Sequence, residues 1–325
     1  MKFRSEITIP EIKVKIGCEK PVIMLGSCFT ENIGSFLEKH LFNVSVNPFG
    51  VIYNPFSIRN AIEALMHKHS YTIEDLNRHN ELWFSFDHYT KFSDPDQHKA
   101  LHKINDAFLK AKALLNASER LVLTFGTAYI YALKSNGRTV NNCHKIPARE
   151  FDRRRLTIGE ITDAYADLIK KILVHRPDMQ ILFTLSPVRH LKDGFAENQR
   201  SKSTLLLAID QLVQAFPGTC DYFPSYEIMM DDLRDYRYYD NDLVHPNELG
   251  MNYISELFRE HCLDARAQQV ASKLDPLLKT LSHRPLHTET EAYRKLTAAT
   301  AQQIRKLKNE FPFLYWSKID DLTHF

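Results

Sequence analysis

The sequence has no uninterrupted apolar run near the roughly 18 residues that a membrane-spanning helix requires, so no membrane span is expected. The opening stretch, Met1-Lys-Phe-Arg-Ser-Glu6 followed by Ile7-Thr-Ile-Pro-Glu-Ile-Lys13, is too broken by charge to form the apolar centre of a secretory signal. Charge of one sign is also lacking. The 42 Lys and Arg against 40 Asp and Glu leave a net +2, which gives no footprint for nucleic acid. The five cysteines, Cys18, Cys28, Cys143, Cys220 and Cys262, form no C-x-x-C pair and are odd in number, which suits reduced thiols rather than a disulfide framework. A cytoplasmic location is the expectation. His98 and His102 have the i, i+4 spacing of metal ligands but no third ligand beside them, so they read as surface residues, and no metal or cofactor is implied. There is no internal repeat and no low-complexity segment.

What the chain does have is enough apolar sequence, 44% of 325 residues, to bury a substantial core. Short apolar runs that read as buried parallel strands recur at Pro21–Leu25, Phe42–Val46, Leu121–Phe125, Ile181–Leu185 and Cys220–Phe223. Helical patterns separate them, at Phe56–Met66, Ala100–Leu115, Thr157–Val174 and Lys202–Phe216. Thr157 and Glu160 have the spacing of a capping box. Strands alternating with helices predict a parallel sheet covered on both faces, with the flavodoxin-like order 2-1-3-4-5, whose ligands bind beyond the carboxyl ends of the strands.

Two segments carry the chemistry. Pro21-Val-Ile-Met-Leu-Gly-Ser-Cys-Phe-Thr30 stops a strand at a Gly and delivers Ser27 and Cys28 to a helix whose apolar spacing runs through Phe29, Ile33, Phe36 and Leu37. A helix N-terminus offers unpaired N–H groups and partial positive charge, which can lower a thiol pKa or hold an anion. Near the other end lies Asp240-Asn-Asp-Leu-Val-His-Pro-Asn-Glu-Leu-Gly250, in which Asp242 stands three residues before His245. One loop can therefore supply a general base and the carboxylate that fixes its tautomer. The plainer reading is a polar loop whose Asn247 caps the next helix.

The segments LGSCFT and DLVHPNELG, with NPFGVIYNP, TFGTAYIY, NNCHKIP and SPVRH between them, resemble the GSCFA family, which looks like a branch of the SGNH (GDSL-like) hydrolases. The resemblance runs from about Pro21 to Leu263. It implies a three-layer α/β/α fold and attack by a nucleophile on an acyl ester. An ungapped match of the superfamily's Gly-Asp-Ser to Gly26-Ser27-Cys28 puts Cys28 at the nucleophile position and leaves Ser27 as a polar partner or helix N-cap; a shift of one residue reverses the roles. Cys28 is preferred, because a thiolate is the better nucleophile. Gly50 matches the second block and Gly126 the third, both as oxyanion donors. Ala128, however, stands where the superfamily carries an Asn, and Asn54, Asn141, Asn142 and Thr127 are the candidate substitutes. Asp242 and His245 match the last block.

Other segments have two readings each. Glu81–Phe92 alternates apolar and polar residues as a strand or hairpin insert would, and Tyr129–Leu133 with Arg138–Asn142 predicts a hairpin turning at Asn136-Gly137. Arg189, after the fourth strand, is a candidate to bind a carboxylate, phosphate or sulfate, or to form a structural ion pair. Beyond Leu263 the sequence becomes charged and helix-favouring, with helices expected at Arg266–Leu281 and Glu289–Glu310, a break at Ser282-His-Arg-Pro285 and an aromatic tail at Phe311–Trp316. The division expected is a catalytic domain over residues 1–263 and a helical extension over 264–325, packed on the core or on a second copy. The expected activity is that of an esterase or acyltransferase on a small acylated molecule or sugar precursor. A catalytically silent binding protein on the same scaffold is the alternative that Ala128 leaves open.

Overall fold

The structure, a computed structural model, describes residues 5–282 and 287–320; the first four residues and positions 283–285 of the expected break lie outside them. Ten strands occur among the described residues: β1 (Val22–Gly26), β2 (Val44–Val46), β3 (Asn77–His79), β4 (Leu82–Phe84), β5 (Arg120–Phe125), β6 (Tyr129–Leu133), β7 (Thr139–Val140), β8 (Phe151–Arg155), β9 (Gln180–Leu185) and β10 (Cys220–Phe223). The helices are α1 (Cys28–Lys39), α2 (Pro55–His67), α3 (Gln97–Ala117), α4 (Ile158–His175), α5 (Gly194–Ala215), the short α6 (Ser225–Glu227), α7 (Glu248–Cys262), α8 (Ala265–Ser282), α9 (Glu291–Glu310) and α10 (Ser317–Asp320).

The central sheet has the order β2-β1-β5-β9-β10 with every neighbour parallel, which is the flavodoxin-like arrangement expected. Strand residues alternate between its two faces, as the two-residue period requires. Ile23, Leu25, Leu121, Leu123, Phe125, Ile181 and Phe183 enter one core with side chains from α2, α3, α4 and α5. Val22, Met24, Val122 and Leu182 enter the other with Phe29, Ile33 and Leu37 of α1 and with Ile254 and Phe258 of α7. The fold class is therefore α/β, with three layers. The C-terminal helices share that second core: Val270, Leu274, Leu307, Leu314 and Trp316 are buried in it, and the Tyr315 amide donates to the Leu41 carbonyl at 2.8 Å.

Three local features differ from expectation. Helix α5 begins at Gly194 rather than Lys202, because its first two turns are polar and carry no apolar stripe to mark them. In the 81–92 segment only Leu82–Phe84 is a strand, paired with Asn77–His79, and Thr90–Phe92 forms a single 3-10 turn. The predicted hairpin of β6 and β7 is present, but it gains a third strand, β8, whose Arg153-Arg-Arg155 run does not look like one. That three-stranded antiparallel sheet forms a wall beside the C-terminal ends of the central strands.

Candidate active site

The turn between β1 and α1 is fixed by close approach. Gly26 has φ of +153°, and a Cβ there would stand 2.4 Å from the Thr124 carbonyl oxygen and 2.7 Å from Thr30 Oγ1, so no larger residue fits. Its amide donates to Asn47 Oδ1 at 2.9 Å and its carbonyl accepts from the Ile52 amide at 2.8 Å. Ser27 follows at the N-cap position, fully buried, but its side chain makes no capping bond and its Oγ has no partner; the expected N-cap bond is absent. Cys28, the first residue of α1, is half-buried. Burial pushes its thiol above the ordinary value, although the Phe29 and Cys28 amides and the Lys202 ammonium favour the thiolate. The depressed thiol pKa expected at a helix N-terminus is thus overturned by desolvation. Cys28 rests as a thiol.

The loop before α7 carries an imidazole paired with a carboxylate. His245 Nδ1 lies 2.6 Å from Asp242 Oδ2, while Asp242 Oδ1 accepts from the Val244 and His245 amides, both at 2.9 Å. These bonds hold the Asp242 carboxyl down at about 2, so it is ionised wherever the protein is folded near neutrality. With Nδ1 committed to the carboxylate, Nε2 is the basic nitrogen. The His245 side chain is 49% exposed, which leaves it open to substrate or water. Two further side chains link this loop electrostatically to α1. His190 is brought down to about 4 by burial, by Lys202 and by His245, so its ring is neutral. Lys202, on the buried face of α5, is brought down to about 7 by burial, against the pull of Cys28 and Glu227; its Nζ donates to the Ser186 carbonyl at 2.7 Å and sits 5.3 Å from the Tyr226 ring centre. Tyr53, pushed up to about 12 by burial and the neighbouring Cys28, meets His190 edge to face with ring centres 5.3 Å apart. Cys28, Tyr53, Lys202, His190 and His245 thus form one electrostatic neighbourhood at the carboxyl ends of the strands.

The oxyanion donors expected from sequence are already engaged. Gly50, at φ +79°, gives its amide to the Asn47 carbonyl at 2.7 Å, and the Gly126 amide goes to the Tyr53 carbonyl at 2.8 Å. Gly126 instead admits its neighbours: a Cβ there would meet the Tyr53 oxygen at 3.0 Å and His190 Nε2 at 3.3 Å. Among the substitutes for the missing Asn, Asn54 caps α2 by accepting from the Ser57 amide at 2.8 Å, and Thr127 Oγ1 contacts Ser201 Oγ at 3.2 Å. Both line a cavity next to His190. Asn142 lies apart, its Oδ1 accepting from the His144 amide at 2.8 Å. Arg189 lines a different groove, of about 450 Å3, together with Phe195, Tyr236, Leu243 and Val244, and its charge also acts on Lys202.

The sequence profile of the GSCFA family matches residues 21–258, and that of the GSCFA domain protein, C-terminal domain, matches residues 274–320. The chain belongs to the GSCFA family. No curated protein shows significant similarity to it. A solved structure described as "a putative platelet activating factor from Streptococcus pneumonia" shares 12% identity, covers 74% of this chain and 83% of its own, and superposes with a TM-score of 0.37, which carries no inference about chemistry.

In this GSCFA protein three residues of the neighbourhood, Tyr53, His190 and Lys202, escaped the sequence argument, Tyr53 standing unremarked within the NPFGVIYNP segment. Lys202 left a readable signal: it lies in register with Leu205, Ile209 and Leu212 on the buried stripe of α5, where a lysine is out of place. His190 left none beyond following a strand, since only the folded chain turns its Nε2 towards Gly126. No group of three metal-ligating side chains occurs among the described residues, and no helix there is long and apolar enough to cross a membrane.

Proposed function

We propose that this GSCFA protein is an acyl-ester hydrolase or acyltransferase in which Cys28 attacks, His245 is the general base and Asp242 orients it. The observation that carries the reading is the 2.6 Å contact of Asp242 with His245 Nδ1, on a loop linked to Cys28 through two side chains: His245 and Lys202 both act on His190, and Cys28 acts on Lys202. His245 Nε2 takes the thiol proton as Sγ attacks the ester carbonyl. The tetrahedral intermediate then collapses, the alcohol leaves with the proton from His245, and a thioester to Cys28 remains. Water or a second hydroxyl resolves it by the reverse steps. Because burial keeps Cys28 protonated, base and nucleophile must act together. The groove beside Arg189 and Leu243 suits the acyl portion, and Arg189 suits an anionic group on it. Five unpaired cysteines suit a reducing compartment such as the cytoplasm.

The engaged amides of Gly50 and Gly126, together with Ala128, favour a second reading: a catalytically silent ligand-binding protein on a hydrolase scaffold. Short-chain aryl esters and thioesters separate the two, assayed with the unmodified chain and with Cys28→Ala, Ser27→Ala and His245→Ala. Turnover abolished by Cys28→Ala and His245→Ala supports the first reading. Turnover by no form supports the second, and loss in Ser27→Ala alone transfers the nucleophile to Ser27.

A further inference from the structure

The groove that Arg189 lines lies against the two segments that carry the imidazoles: Arg189 immediately precedes His190, and Val244 immediately precedes His245. At about 450 Å3 it falls within the ~300–1,000 Å3 usual for small-molecule sites. Three of its lining side chains are large, apolar and left mostly in solvent: Phe195 is 63% exposed, Tyr236 72% and Leu243 59%. Leu243 is out of place twice over. The turn in which Asp242 Oδ1 accepts from the Val244 and His245 amides carries Leu243 at φ +59°, a left-handed conformation that Gly and Asn adopt at little cost and a leucine does not. A side chain both strained and exposed adds nothing to the turn, so its use lies in whatever covers it.

Charge decides what that is. Arg234 is paired with Asp231 at 3.2 Å and Asp235 with Arg237 at 2.8 Å, so one guanidinium and the carboxylate of the lining are each answered by an opposite charge. The Arg189 guanidinium forms no hydrogen bond or ion pair with any described residue; it stands over the Phe195 ring, 5.9 Å from its centre. Water solvates such a group but supplies no counter-charge. Lys202, a second cation, is close enough for the two charges to oppose each other, so an anion at Arg189 relieves a repulsion. A purely apolar ligand would strip water from Arg189 and leave its charge unpaired, which is costly. A polyanion would meet Asp235, and a small ion such as acetate or phosphate would leave the three apolar side chains uncovered. One anionic group on an apolar body answers both the charge and the walls.

We propose that this groove binds an amphiphilic anion, a single carboxylate or phosphate head group on an aliphatic or aryl body, with Arg189 pairing the head group and Phe195, Tyr236 and Leu243 covering the body. Arg189 is then the residue that selects charged over neutral ligands. The assignment of that ligand as the acyl part of the ester, with its far end charged, rests on the acyl-transfer reading. The binding itself does not depend on it.

The test is saturation-transfer NMR with hexanoate, hexyl phosphate, hexanol, acetate and methyl phosphate on the unmodified chain, on Arg189→Gln and on Leu243→Asn. Hexanoate or hexyl phosphate is expected to bind in the millimolar range or tighter, the stronger of the two naming the head group. Hexanol, acetate and methyl phosphate are expected to bind about tenfold more weakly or worse, and Arg189→Gln to weaken the chosen anion by about the same factor. Leu243→Asn, which suits the left-handed turn, is expected to melt no lower than the unmodified chain yet to bind roughly threefold more weakly or worse, a split that a structural role for Leu243 would not give. Hydrogen–deuterium exchange on the unmodified chain, slowed by the anion at residues 189–195 and 234–244, reads the same site should Arg189→Gln fail to fold. Binding of neither anion, equal binding of hexanol or of the small ions, undiminished binding to either folded variant, or no slowing at those segments overturns the proposal. For the acyl assignment, an aryl half-ester of adipic acid is expected to turn over faster than the aryl hexanoate, with the preference lost in Arg189→Gln through a raised KM; equal turnover of the two esters overturns that assignment alone. Anion binding without turnover of any ester would remove the acyl-transfer reading and leave the groove's ligand standing; turnover without anion binding would do the reverse.

Discussion

A single carboxylate, Asp242, holds the ring of the proposed base, His245. In Asp242→Asn the imidazole loses the anion that holds its tautomer, and ester turnover is expected to fall on the order of 10³- to 10⁴-fold while the fold is kept, measured as kcat on an aryl ester beside a thermal melt. Cys28 yields a pH prediction of the opposite sign to the one its helix position suggests. Because burial raises its thiol, alkylation by iodoacetamide at pH 7 is expected to be slower than for a free cysteine peptide and to rise with pH into the alkaline range. Faster reaction than the peptide at pH 7 would show a thiolate and refute the burial argument. Lys202 is the third case. Its folded pKa of about 7 lies below the ordinary lysine value of about 10.4, so between those limits the unfolded chain binds the extra proton and stability rises with pH. Replacing it by Met removes that term. The melting temperature of Lys202→Met minus that of the unmodified chain is therefore expected to be largest near pH 7 and to shrink towards pH 10, whatever its absolute sign.

At the scale of elements, the turns that deliver the site are fixed by contacts between segments far apart in sequence. Gly26 is pinned by Thr124 and Thr30, and Gly50 by Tyr89, whose Cβ lies 2.3 Å from where an added Cβ would stand. Ala at either position is expected to cost on the order of 1–3 kcal/mol or more, read by denaturant unfolding, whereas Gly126→Ala, with contacts of 3.0 and 3.3 Å, is expected to cost less. Such distinctions were not legible in the sequence, where Gly26 and Gly126 simply end apolar runs and Gly50 closes the turn-like Asn47-Pro-Phe-Gly50. Other element features were legible. The capping box of α4 forms as its Thr157 and Glu160 spacing indicates, with the Thr157 amide donating to Glu160 Oε2 at 2.8 Å. The β6–β7 hairpin turns at its Asn136-Gly137 pair, with Gly137 at φ +72°. Strand β8 was hidden because its pairing to β6 depends on a partner some twenty residues away, while its own side chains are mostly charged and exposed.

For the whole molecule, the second core joins both ends of the chain. Phe29 and Leu37 of the helix that carries Cys28 lie in it beside Leu274, Leu307 and Trp316. We therefore expect a chain cut after Leu263 to lose its cooperative unfolding transition and its ester turnover together, because removing residues 264–325 uncovers that core beneath α1. A truncated form that melts cooperatively and keeps its activity would show instead that residues 1–263 stand alone. By itself, the sequence determined the layered parallel sheet, because apolar runs and helical stripes are local patterns whose burial needs are written in their period. It also determined that Asp242 and His245 share a loop, because three residues cannot place them far apart. Only the tertiary structure decided the protonation of Cys28, the engagement of the Gly50 and Gly126 amides, and the presence of His190 and Lys202 beside them. Those properties arise from burial and from contacts between distant segments, and neither is encoded at any one position of the chain.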